Sequence, residues 1–198
     1  MTAVGCVVAS PATAAAPTLV IGARPTSVVA FAGGLTISGA LTGGRGTQLV
    51  NIEAKECGVP GSFHVAGGAT TSASGSFSNS TSLGPGVTTK YRARWREVVS
   101  NVVVVHVAPR LDLQSNGHVF TVAVSGSGYW RGKRITLQRL ASGRWMTIRV
   151  LTLRDTFGNG GLVSGRVRLP KRTLVRAVLP RTQARPCFLP AVSTTVRT

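Results

Sequence analysis

Apolar and polar residues alternate along most of this 198-residue chain, with the two-residue period of strands. Leu35-Thr-Ile37-Ser-Gly-Ala-Leu41 keeps that period until Gly43-Gly44-Arg45-Gly46 turns the chain, and Leu49 to Ala54 resumes it. A Cys-Gly-Val-Pro-Gly turn leads into Phe63-His-Val65; Gly75-Ser-Phe77, residues 89–95 and the apolar run Val102 to Val107 follow. No segment sustains an apolar stripe at helical period. Short strands separated by Gly, Pro and Ser predict an all-β protein built from antiparallel sandwiches. In the stretch Thr89-Lys-Tyr-Arg-Ala-Arg-Trp95 the period sends Tyr91, Ala93 and Trp95 to the core. Lys90, Arg92, Arg94 and Arg96 then line the outer face, so basic and aromatic residues that adjoin in sequence do not form one nucleic-acid contact surface.

The pattern repeats. Residues 46–65 (GTQLVNIEAKECG, then SFHV) and 132–150 (GKRITLQRLASGRWMTIRV) each run glycine, strand, turn and an aromatic opening the returning strand, Phe63 or Trp145. Farther on, Tyr91-Arg-Ala93-Arg-Trp95 answers Val175-Arg-Ala177-Val-Leu179. The shared boundary falls at Ala108-Pro109. It gives an apolar N-terminal segment at 1–17, a first sandwich at 18–109 and a second at 110–198, each of about seven strands.

Residues 132–180 resemble the bacterial immunoglobulin-like repeats found in tandem in exported proteins of high-GC Gram-positive bacteria. Their pattern is a V-T-L-Q-R strand, a glycine turn, a Trp, and a late T-x-Y-R-A strand. Thr173-Leu-Val-Arg-Ala here lacks the tyrosine, while Thr89-Lys-Tyr91-Arg92-Ala93 keeps it in the looser match over residues 35–107. The resemblance implies tandem immunoglobulin-like sandwiches and is nearly silent on function, since such modules serve as spacers, stalks and binding domains.

Charge alters this picture in one half. Residues 1–109 hold seven basic and three acidic side chains, whereas residues 110–198 hold sixteen and two. Such an excess would draw polyanions to the second sandwich, but it is read as a tendency rather than a function. Nineteen of the 23 basic residues are Arg, which GC-rich coding alone would also produce. The first 23 residues carry no charge, and small residues at Ala12–Ala14 or Ala14–Ala16 suit a cleavage site, so the segment reads as a truncated export signal. A lipidated Cys6 is the weaker alternative. Pro11 and Pro17 argue against a membrane span.

Removing that segment leaves Cys57 and Cys187, without metal-site spacing. With alternating strands, Cys57 follows strand C at the far end of the first sandwich. Cys187, between strands F and G, sits at the near end of the second. A disulfide joining the two sandwiches is expected, with two free thiols the alternative.

Catalytic, cofactor and metal residues are not predicted. The five carboxylates are scattered, His64, His106 and His118 stand apart, and no glycine cluster opens a helix as phosphate loops require. The candidate ligand surface is Trp130 with Arg131, Lys133, Arg134, Arg144, Arg166, Arg168, Lys171 and Arg172, unless Trp130 is a core tryptophan. The expected function is a non-catalytic structural or adhesive module at or outside the cell surface, with a cell-envelope polymer or protein as partner. The alternative is a polyanion- or carbohydrate-binding protein using the second sandwich; nucleic acid is not the expected partner.

Overall fold

The computed structural model describes residues 15–44 and 46–198. The stretch read as an export segment lies outside those residues as far as Ala14, as does Arg45.

Nearly all of the regular structure is β. Strands β1 (Thr18–Arg24), β2 (Ser27–Val29), β3 (Leu35–Thr42), β4 (Leu49–Glu56), β5 (His64–Thr70), β6 (Ser76–Thr81), β7 (Thr89–Trp95), β8 (Val98–Val99) and β9 (Val103–Ala108) come first. They form a three-stranded sheet in the order β1-β3-β6 and a six-stranded one in the order β2-β9-β7-β4-β5, with β8 on β7. Next come β10 (Arg110–Asn116), β11 (Val119–Ser125), β12 (Arg134–Ala141), β13 (Arg144–Thr152), β14 (Asp155–Phe157), β15 (Gly160–Arg166) and β16 (Leu174–Leu179). A four-residue helix α1 (Arg181–Ala184) precedes β17 (Ala191–Val192) and β18 (Val196–Arg197). These strands form a four-stranded sheet, β10-β11-β15-β14, and a five-stranded one, β13-β12-β16-β17, in which β18 also pairs with β16. All pairings are antiparallel except that of β2 with β9.

Each pair of sheets closes on its own core, because alternate side chains point into the gap. Along β1 and β11 every second residue is buried. Leu19, Ile21, Leu35, Ile37 and Phe77 from one sheet meet Val50, Ile52, Ala93 and Val105 from the other. In the later pair, Phe120, Val122 and Val124 meet Ile135, Leu137, Val175 and Leu179. Each large buried side chain contributes about 1.5–3 kcal/mol through removal from water. As the alternation predicts, Ala93 is fully buried and Tyr91 and Trp95 pack half-buried against the first core.

The two halves share a polar device as well. The amide of Ala93 donates to Ser100 Oγ, which donates to the carbonyl of Asn101. Likewise the amide of Ala177 donates to Ser193 Oγ, which donates to the carbonyl of Thr194. Ser100 and Ser193 bring their own amides back to the carbonyls of Ala93 and Ala177. The partners are 7 residues apart in the first case and 16 in the second. The longer connection after β16 accommodates α1 and Cys187.

Candidate functional site

That longer connection reaches back to the first half of the chain. Cys187 is bonded to Cys57, with the Cα atoms 5.4 Å apart. Around this bond the contact between halves is made by backbone. The amide of Thr88 donates to the carbonyl of Cys187, that of Leu189 to Val107, and that of Ser127 to Gly86. Gly86 is required there, since a Cβ would stand 2.3 Å from Ser127 Oγ and 2.4 Å from the Phe31 ring.

Trp130 is a correction to the sequence-based ligand surface. It is only 2% exposed, and its indole N–H donates to the carbonyl of Gly126. Phe188, brought in beside Cys187, lies 4.8 Å from it between ring centroids. Burial of a large ring with its one donor satisfied makes Trp130 a core tryptophan rather than a solvent-facing ligand contact. The aromatic ring that faces solvent here is its neighbour Tyr129, 76% exposed, which sequence reasoning passed over.

The basic residues do not form one surface either. Arg134 pairs with Thr152 at one end of the β12–β13 hairpin, and Arg144 with Ala141 at its turn. Those ends are about 25 Å apart, the span of an eight-residue strand. Arg131, Lys133 and Arg134 accordingly lie at the end facing the first half. Arg144, Arg166, Arg168, Lys171 and Arg172 lie at the opposite end, where β15 runs into β16 and the carbonyl of Arg166 accepts from Arg149. Strand direction separated what sequence counting had grouped.

Between the halves lies a cleft of about 400 Å³. The disulfide, Trp130 and Phe188 line it, with Tyr129, Lys133 and Arg185 among its polar residues. Ion pairs between side chains elsewhere consume two of the five carboxylates, Glu53 with Arg92 and Arg94 and Asp112 with Arg110, while Glu56 lies 3.4 Å from His64 Nε2. Glu97 and Asp155 are exposed. Among the described residues, no group of three or more His, Cys, Asp or Glu side chains is placed to hold a metal ion. Nor is any helix among them long and apolar enough to cross a membrane.

Glu53 shows what strand pairing can do with charge. It stands opposite Arg92 on β7, is 7% exposed, and accepts from Arg92 Nε at 2.6 Å and Arg94 Nε at 2.8 Å. Burial pushes its carboxyl up, but the two arginine hydrogen bonds and charges outweigh that and hold it below the usual carboxylate range. Arg92 also lies 4.2 Å above the Phe63 ring. The outer arginines of β7 are thus partly neutralised within the fold.

No protein-family model matches the chain, and no curated protein does. Among solved structures it is similar to a tetra-tandem repeat from the extending region of a large adhesion protein. The identity is 17% and the TM-score 0.38, over 92% of this chain. The chain spans about half, 49%, of that structure's length, a likeness too slight to carry fold or function across.

Proposed function

We propose that the chain is a non-catalytic structural or adhesive module, exported to the cell surface or beyond, built from two immunoglobulin-like domains at 18–109 and 110–198. The observation that carries this reading is the Cys57–Cys187 bond across the junction. A disulfide persists in an oxidising compartment, and one joining two sandwiches suits a part whose work is to hold a shape under load. Brief protease treatment of intact source cells tests it. The chain should be degraded while a cytosolic marker survives, and both cysteines should resist alkylation until reductant is added. A protected chain with reactive Cys57 and Cys187 would overturn the reading.

A second reading, polyanion or carbohydrate binding, is favoured by the junction cleft. Lys133 and Arg185 line it, Arg131 and Arg134 flank Lys133 in sequence, and no described carboxylate forms an ion pair with any of them. Retention on heparin should fall with salt and be lost when Arg131, Lys133 and Arg134 are neutralised together. Neutralising Arg144, Arg166, Arg168, Lys171 and Arg172 instead separates the two ends. Absence of retention at low salt removes this reading.

A further inference from the structure

Two clefts adjoin along the connection between β16 and β17. One is the cleft of about 400 Å³ that holds the disulfide and Trp130; the other, of about 420 Å³, reaches His106 and Arg181. Arg185, Pro186 and Phe188 line both. Each cleft takes its walls from both halves of the chain. Cys57 and Val59 join Tyr129 and Lys133 in the first, and Thr88 and His106 join Arg181 and Leu189 in the second. Either volume falls within the roughly 300–1,000 Å³ of ligand clefts.

The walls hold basic groups and no carboxylate: Lys133 and Arg185 in the first cleft, Arg181, Arg185 and His106 in the second. No described carboxylate forms an ion pair with Lys133, Arg181 or Arg185, and Glu56, next to Cys57 in sequence, lies beside His64 instead. The amide of Arg185 donates to the carbonyl of Arg181 across the single turn of α1, which sets both stems on one side of that turn. Gln183 Oε1 accepts from the amide of Arg134 at 3.0 Å, which fixes the carboxamide and leaves its NH2 to donate. Cations gathered without a counter-charge repel one another, and a bound anion relieves that repulsion.

Charge does not account for the rest of the first cleft. Tyr129 is 76% and Val59 57% exposed, and both share its walls with Lys133. We propose that the two clefts bind a linear acidic glycan laid across the junction, with a sugar ring against Tyr129 and its carboxylates on Lys133, Arg185 and Arg181. A pyranose ring presents an apolar C–H face that suits the tyrosine ring, and its hydroxyls suit the Gln183 amide. The guanidinium forks of Arg181 and Arg185 match planar carboxylates. Polyphosphate would satisfy the cations and leave Tyr129 and Val59 in water. Single-stranded nucleic acid calls for a succession of stacking platforms, whereas Trp130 is buried here and Phe188 packs on it. The inference rests on the polyanion- or carbohydrate-binding reading and names its ligand class.

The test uses the full, oxidised chain and three polymers: polygalacturonate, with carboxylates on sugar rings; polyphosphate, with charge and no rings; and dextran, with rings and no charge. Polygalacturonate should bind more tightly than polyphosphate at equal salt, and dextran should not bind. Tyr129→Ser, at an exposed position, should weaken polygalacturonate about tenfold and spare polyphosphate. Arg185→Gln, also exposed and common to both clefts, should weaken both polyanions. Polyphosphate binding as tight as polygalacturonate, or polygalacturonate binding unaffected by Tyr129→Ser, overturns the proposal. Heparin retention reads the parent idea separately: retention without a Tyr129→Ser effect on polygalacturonate leaves polyanion binding standing and removes the glycan site.

Discussion

Cys57 and Cys187 stand 130 positions apart in the chain and are covalently joined, with Cα atoms 5.4 Å apart. Neither is on a strand; one follows β4 and the other lies in the long connection after β16. Their bond and the backbone hydrogen bonds from Thr88, Ser127 and Leu189 fix the junction from several directions.

Reduction should therefore uncouple the two sandwiches. In the chain-entropy account, cross-linking a loop this long contributes at most about 5 kcal/mol. Urea unfolding of the oxidised chain should show one transition. The Cys57→Ala, Cys187→Ala variant should show an earlier, broader or split one. Superimposable curves would mean that the bond is incidental to the coupling.

Loss of charge at Glu53 should be costly near neutral pH. Glu53→Gln leaves Arg92 and Arg94 without their anion, for about 1–3 kcal/mol. The native carboxyl titrates below its ordinary value, so its contribution is full above about pH 4.3 and is lost as pH falls through the lowered native value. The gap between wild type and variant should close in acid, and urea midpoints near neutrality and at about pH 3 check the sign.

Trp130→Ala should destabilise the second sandwich by about 3–5 kcal/mol, as expected of a buried ring. Gly126→Ala should also destabilise it, because the new Cβ would stand 2.9 Å from Phe188 Cε1. Thermal unfolding reads both. An unchanged midpoint for Trp130→Ala would return that ring to the surface.

Ser193→Ala should leave the buried amide of Ala177 without an acceptor, at about 1–3 kcal/mol. Ser100→Ala should do the same to Ala93. Equal penalties, measured by denaturant unfolding, would show the repeated device to be equally important in both halves. A negligible loss in either would mean that water replaces the hydroxyl.

Period-two alternation was enough to determine the strands and the inward face of Tyr91, Ala93 and Trp95, because pleating is a local property of the backbone. The internal repeat was equally legible, since Phe63 and Trp145 keep their place in matching hairpins. Which charges meet was decided by the tertiary structure. Glu53 and Arg92 are 39 residues apart and become neighbours only through the β4–β7 register. The same holds for the basic residues of the second half: adjacency in sequence says nothing about which end of a strand a loop occupies, so the grouped arginines parted to opposite ends. Trp130 sat in a glycine-rich loop, which reads as exposed until Phe188 arrives from the other side of the fold. Local backbone preference is written in neighbouring residues, whereas burial and charge pairing depend on elements distant in the chain.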